Sequence, residues 1–307
     1  MSSVEELNKK CAPTKTFENG SCITLDGLKE ISKVYNNNNQ QKINITNNKY
    51  ELVKQIENKT KDECNGQHKC IIKKYGRKVQ NEKLREDLTK NTLRPDGSGA
   101  GKGKWLSTTH IDDVLEQYMH KYKHFMSLGA VPADFLDLKD LNIHNLDFNE
   151  LIKEGKTHIG FVINLDEHWK SGSHWVGWFG DLDKGKIYYF DSYGEPPSKR
   201  TKKFNNKVIK FLYEKKYNKK LNINKVLKKD SKYTNKINSE FEIKYNTVRH
   251  QYGNSDCGVY SINFILRMLK GETFDDITQN ITKDEDVSKC RGVYFDNVDS
   301  KTLKEIN

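Results

Sequence analysis

The sequence predicts an α+β fold, on three observations. Strand-like runs follow one another between residues 158 and 192, charged helical segments lie before and after them, and a strongly apolar helix begins at Cys257. With 307 residues the chain is long enough for one large domain or two small ones, each with a hydrophobic core of its own.

Residues 1–100 read as a basic, helical arm. Its clearest helical pieces are YELVKQIENK (50–59) and NEKLREDLTK (81–90), split by the polar tract NNNNQQKINITNN, and it offers little apolar material for a core. The glycine-dense run RPDGSGAGKGK (94–104) marks the boundary, so 101–307 form the second domain. That run has a GxGKGK pattern, but it lacks the spacing, the Lys-Ser/Thr ending and the preceding apolar strand of a phosphate-binding loop.

WLSTTHIDDVLEQYMHKY then fits an amphipathic helix with Ile111, Val114, Leu115, Tyr118 and Tyr122 on one face and a Thr or Asp cap. Three strands follow, HIGFVINL (158–165), HWVGWFGDL (174–182) and KIYYFDS (186–192), the last two joined by a turn around Asp183, Lys184 and Gly185. A basic helix over 198–217 and a lysine-rich linker lead to FEIKYNTV, a further strand. The helix from Cys257 ends at Arg267, Lys270 and Gly271 with the expected C-terminal chemistry. Beyond residue 271 the pattern is ambiguous.

Fifty-three Lys and Arg against 42 Asp and Glu give a net charge of +11. Such a balance suits anionic partners, including non-specific DNA contact, and equally describes a solvated lysine-rich surface. No apolar stretch approaches the roughly 20 residues that cross a bilayer, and the start MSSVEELNKK lacks the apolar core of a secretory signal. The expectation is a soluble, intracellular protein. Six cysteines are sparse for this length, so reduced thiols are expected rather than a disulfide framework.

The chemistry concentrates in HQYGNSDCGVYSINFIL (250–266). A cysteine at a helix N-terminus faces unpaired N–H donors and a partial positive charge, which favour an ionised thiol and can bind an oxyanion. The polar, glycine-containing GNSDCG should put this thiol at a surface turn. Gln251, six residues upstream, can add an amide donor. A hairpin centred on 182–185 brings residue 174 opposite roughly 191–194, so His174 and Asp191 can meet on one ladder and complete a Cys-His-Asp triad. His168 is a rival base, but its surroundings, Glu167, Lys170, Ser171 and Gly172, read as loop. Cys64, His68 and Cys70 supply three candidate zinc ligands at an unusual spacing. No G-x-S-x-G elbow or H-E-x-x-H pair supports serine or metal hydrolysis.

Taken together, His174-Trp175, Asp191, and Gln251 before Cys257-Gly258 resemble the SUMO-protease and adenovirus-protease superfamily of cysteine peptidases. THIDDVLEQYMHKYKHFM, FVINLDEHWKSGSHWVGWFGDL, YYFDSYGEPP and VRHQYGNSDCGVYSINFI are similar to the polyprotein-processing proteases of large nucleocytoplasmic DNA viruses, African swine fever virus among them. The resemblance implies a papain-like core, a central mixed sheet flanked by helices with the catalytic Cys257 at a helix N-terminus, preceded by a helical arm. It also implies His174 as base, Asp191 as orienting acid, Gln251 in the oxyanion hole, and Trp105 and Trp175 as substrate-binding residues. Trp105 would cover a narrow groove for glycines before the scissile bond.

The implied activity is cleavage of viral capsid and core precursor polyproteins after Gly-Gly-type sites during virion maturation. The protein substrate is the implied partner, with no cofactor and no metal. The implied locations are the virion and, during assembly, virus factories in the host cytoplasm. Thr108 departs from the aspartate usual in cellular SUMO proteases, while Asp191 is the cellular type of acid where the swine fever enzyme has asparagine. The competing readings are an isopeptidase acting on ubiquitin-like conjugates, an acyltransferase using the same triad, and a nucleic-acid-binding protein that keeps only the fold.

Overall fold

The computed structural model describes residues 9–221, 237 and 240–298, which fall into two compact units. The break comes at Gly97, and the described residues 292–298 group with the first unit rather than with the domain expected over 101–307. The reason is backbone pairing. Asp296 accepts from Gly97 N at 2.6 Å and donates to Pro95 O at 2.8 Å.

The first unit is helical: Leu25–Asn38, Lys49–Lys59, Lys61–Cys64, His68–Lys74 and Glu82–Lys90. Thr24, Asn48 and Asn81 cap three of these by accepting from Gly27, Glu51 and Leu84 N–H groups. Contrary to the sequence expectation, this unit has a core, made by Leu28, Ile31, Leu52, Val53, Ile56, Ile71, Val79 and Leu88. Its apolar residues are few per helix, but one face of each turns inward, which a segment-by-segment reading undercounts.

A second expectation also fails here, since Cys11–Cys22 and Cys64–Cys70 are disulfides, each with Cα atoms 5.4 Å apart. Counting six cysteines over the whole chain hid the fact that four cluster in one small unit. The candidate zinc ligands are accordingly consumed: Cys64 and Cys70 bond to each other, and His68 bonds to Ser21 Oγ at 3.1 Å and Glu57 Oε1 at 3.2 Å.

The second unit is built on a five-stranded sheet in sequential order: β1 Phe125–Val131, β2 His158–Asn164, β3 Trp175–Asp181, β4 Lys186–Phe190 and β5 Glu242–Tyr245. It is mixed, with β1/β2 and β4/β5 parallel and the two central pairs antiparallel. All seven residues of β3 are buried, so both sheet faces must be covered. On one face Trp178 and Phe161 meet Phe204 of the helix Lys199–Tyr217. On the other, Gly177 lets the helix Cys257–Leu269 approach so closely that a Cβ would lie 2.8 Å from Phe264.

The helix predicted after residue 105 runs Thr108–Lys121 and is capped by Ser107, not by Thr or Asp, with His110 returning a bond to the Ser107 N–H. β1 is absent from the sequence reading because FMSLGAV carries an irregular register at Gly129, whose φ of 75° interrupts alternation. Beyond residue 271 the chain forms short helices, Phe274–Gln279, Asp284–Lys289 and Arg291–Tyr294. Among the described residues, no helix is long and apolar enough to cross a membrane.

Candidate active site

Cys257 opens a 13-residue helix whose apolar residues Val259, Ile262, Phe264 and Ile265 are buried, and this packing fixes the helix end under the sheet. The thiol is therefore not at an open surface turn as expected: Cys257 is 2% exposed, while Gly253 and Asn254 of the same turn are exposed. His174, Asp191 and Gln251 are buried as well.

The hairpin register sets the first pair. Gly177 lies opposite Phe190, which places residue 174 opposite 193 and lets His174, just before β3, reach back to Asp191. His174 Nε2 lies 2.7 Å from Asp191 Oδ1. The ring therefore keeps Nδ1 for a second partner, and Cys257 lies near enough to act on its titration. Burial disfavours a charged imidazole, but the bonds to Asp191 and Cys257 and their negative charge outweigh it, and His174 is pushed up to about 9. The ring is held from its face by Tyr193, whose centroid is 4.5 Å away at an interplanar angle of 14°.

Asp191 is fixed at several points. Its Oδ1 also accepts from Tyr193 N at 2.8 Å, and the buried Asn246 side chain clamps its backbone, accepting from Asp191 N at 2.8 Å and donating to Asp191 O at 2.7 Å. The next residue links acid to glutamine. Ser192 Oγ donates to Gln251 Oε1 at 2.7 Å, and Ser192 O accepts from Gln251 N at 2.9 Å. This defines the amide orientation: the Gln251 oxygen faces Ser192, and Nε2 donates to Gly253 O at 3.0 Å, leaving its second N–H for another acceptor. Tyr193 Oη donates to the same Gly253 carbonyl at 3.1 Å.

The two tryptophans differ. Trp105 is 44% exposed, whereas Trp175 is 7% exposed and donates from Nε1 to Leu106 O at 3.0 Å. Both border a cleft of about 670 Å³ whose walls include Val131, Pro132, Leu138 and Gly172. Gly258 permits this junction, because a Cβ there would stand 3.1 Å from Leu106 and 3.3 Å from Trp175. The rival histidine also borders the cleft, but His168 Nδ1 is bonded to Asp134 Oδ2 at 2.6 Å, on the loop side of the wall.

Thus Cys257, His174, Asp191 and Gln251 form one connected cluster, with Trp105 and Trp175 at the cleft. Sequence reasoning missed Tyr193, Ser192 and Asn246. Tyr193 and Ser192 follow Asp191 directly, a signal available in hindsight, whereas nothing in KYNTV singles out Asn246. Chemically, the cluster can hold a thiol against a charged imidazole and present N–H donors beside it. No group of three or more His, Cys, Asp or Glu among the described residues is arranged to hold a metal.

Comparisons with known proteins identify a cysteine protease. A family model described as "Ulp1 protease family, C-terminal catalytic domain" matches residues 151–303. The chain is 32% identical to a protein of Acanthamoeba polyphaga mimivirus described as a "Putative thiol protease", over 95% of this chain and 94% of that protein. It is 25% identical to a cysteine protease of African swine fever virus strain Badajoz 1971, over 80% of this chain and 88% of that protein. A crystal structure of the African swine fever virus protease superposes with a TM-score of 0.59 at 21% identity, covering 94% of this chain and 95% of that one. At that identity the likeness speaks to the fold.

Proposed function

From the premise that this chain belongs to the Ulp1 protease family and is a cysteine protease, we propose that it is an endopeptidase cleaving viral capsid and core precursor polyproteins after Gly-Gly-type sites. The observation that carries the proposal is the buried His174–Asp191 pair at 2.7 Å with Cys257 as the imidazole's other neighbour.

In this reading the Cys257 sulfur attacks the scissile carbonyl carbon and a C–S bond forms as the carbonyl π pair moves to oxygen. The Cys257 backbone N–H and the unused N–H of Gln251 stabilise that oxyanion. His174, protonated through neutral pH, gives its proton to the departing amine as the C–N bond breaks, leaving a thioester. Water then attacks the thioester, His174 takes its proton, and as the C–S bond breaks its electron pair returns to sulfur, so that the acid product leaves with the protonated imidazole and the Cys257 sulfur as they began. Asp191 keeps the ring oriented and offsets its charge throughout. Trp105 and Trp175, which border the cleft beside Leu106, are assigned the acyl side, where they would let glycines pass and exclude bulkier side chains.

In this proposal the enzyme acts in virus factories of the host cytoplasm and is packaged in the virion, and its positive charge permits non-specific DNA contact. A second reading, removal of ubiquitin-like modifiers from host conjugates, is favoured by the Ulp1 character of the family match. A direct test incubates candidate precursors and ubiquitin-like probes with the protein and with Cys257→Ala, with cut sites read by mass spectrometry. The polyprotein reading expects Gly-Gly cleavage of precursors that vanishes in the variant, a loss on the order of 10⁶-fold as for other nucleophile deletions. Turnover restricted to folded modifiers would favour the second reading. Identical fragments from both proteins would end either one.

A further inference from the structure

The triad chemistry leaves two features unused: the glycine-dense run before Trp105 and a buried arginine. Arg291 is 1% exposed although its guanidinium is always charged. Its Nε and one terminal nitrogen donate to Asp256 Oδ1 at 3.1 and 2.6 Å. The same terminal nitrogen donates to Lys104 O at 2.8 Å and Ser255 O at 3.1 Å, and the other donates to Ala100 O at 2.7 Å.

Asp256 is the residue before the nucleophile and occupies the cap position of its helix, yet its side chain makes no capping bond. An aspartate at that position ordinarily accepts from an N–H two or three residues on. Here those donors belong to Gly258 and Val259, at the helix end on which a thiolate and an oxyanion depend. A capping carboxylate would occupy a donor and add negative charge one residue from the sulfur.

We propose that Arg291 is a positioning residue for the nucleophile: it draws the Asp256 carboxylate away from the helix end, cancels its charge, and holds the glycine-dense segment that leads into Trp105. The glycines fit this role. Gly99 and Gly103, with φ of 79° and 76°, bracket the turn that aims the Ala100 and Lys104 carbonyls at one cation. From its other end the segment is secured by Leu106, which accepts from Trp175 and packs over Gly258. One guanidinium therefore ties the proposed glycine gate to the nucleophile turn. Only a planar fork of donors serves four acceptors at once, which a lysine cannot do.

The inference rests on the cysteine-protease reading for its effect on turnover, but its main readout needs no substrate. The rate of Cys257 carboxymethylation by iodoacetate at pH 6.5 is followed by mass spectrometry on the full chain, together with melting temperature and Gly-Gly peptide kinetics. Arg291→Gln should slow labelling about tenfold, the size of an uncompensated charge at a helix end. Adding Asp256→Ala to it should restore most of that loss, which a purely structural role for Arg291 would not do. Arg291→Lys keeps the charge but not the fork, so it should label at least fivefold faster than Arg291→Gln while raising KM for the peptides.

Labelling of folded Arg291→Gln at the wild-type rate, or a double variant no faster than the single one, would overturn the proposal. If Arg291→Gln does not fold, the double variant, which leaves no unpaired buried charge, decides alone. It must label within about fivefold of wild type, and a larger loss overturns the role assigned to Arg291. Wild-type protein that labels as expected but cuts no peptide counts against the proteolytic reading and not against Arg291.

Discussion

In the first unit four cysteines are tied in pairs, Cys11 to Cys22 and Cys64 to Cys70, whereas in the second Cys257 is outside any disulfide and neighbours His174. The histidines divide in the same way. His68 has a carboxylate neighbour, Glu57, at 3.2 Å, yet burial outweighs that pairing and holds it below its usual range. His174 is also buried, but Asp191 at 2.7 Å and Cys257 together hold it up to about 9. Residue type therefore does not decide reactivity. A buried imidazole is held charged when a carboxylate and a thiol flank it, and a cysteine is placed to serve as a nucleophile when its neighbour is such an imidazole and not a second thiol.

The largest break in that comparison, short of deleting the sulfur, is loss of the amide proposed to bind the oxyanion. Gln251→Ala should lower kcat by about 10²–10³-fold, the usual effect of removing one such donor, with little change in KM. Steady-state peptide cleavage checks it, and an unchanged kcat would remove Gln251 from the reaction.

The pH profile sharpens the histidine half of the contrast. Because the folded-state value of His174 is raised, its protonated form persists from the ordinary range near 6.5 up to about 9, and the leaving amine loses its proton donor above that. The alkaline limb of kcat should lie near 9. Asp191→Asn removes the paired carboxylate and should move that limb to lower pH, a shift readable from the same assay. The sign for stability is the same: the paired imidazolium contributes fully below about pH 6.5, and that contribution is lost as pH rises through about 9.

The smallest effect on catalysis belongs to the first unit. Replacing Cys11 and Cys22 by serine opens a short loop, of sequence separation 11, and should cost roughly 2–3 kcal/mol of stability. Thermal melting under non-reducing conditions measures this. The Cys257 labelling rate should not change, and a parallel fall would mean that the two units are not independent in their chemistry.

What could be read in advance follows from how local each signal is. β2, β3, β4 and the helices from Thr108, Lys199 and Cys257 declare themselves because each buries a face with its own periodicity. Cys257, His174, Asp191 and Gln251 were legible because one hairpin and one helix start bring them together within short stretches of chain. β1 escaped because an irregular glycine breaks its alternation. The disulfides, the Asn246 clamp on Asp191 and the Arg291 contact with Asp256 escaped because each joins segments whose approach only the fold determines. The depth of Cys257 was misjudged for a related reason: the polar GNS turn is exposed, but the helix it begins runs beneath β3.

The central claim, that an imidazole held by Asp191 makes the Cys257 sulfur reactive, is tested most directly without any substrate. Alkylation of Cys257 is timed at pH 6 in the wild-type protein and in His174→Ala, with Cys290 of the same chain as an internal reference thiol. The account predicts that wild-type Cys257 reacts at least about tenfold faster than in the variant while Cys290 is unaffected. Equal Cys257 rates in the two folded proteins would contradict it.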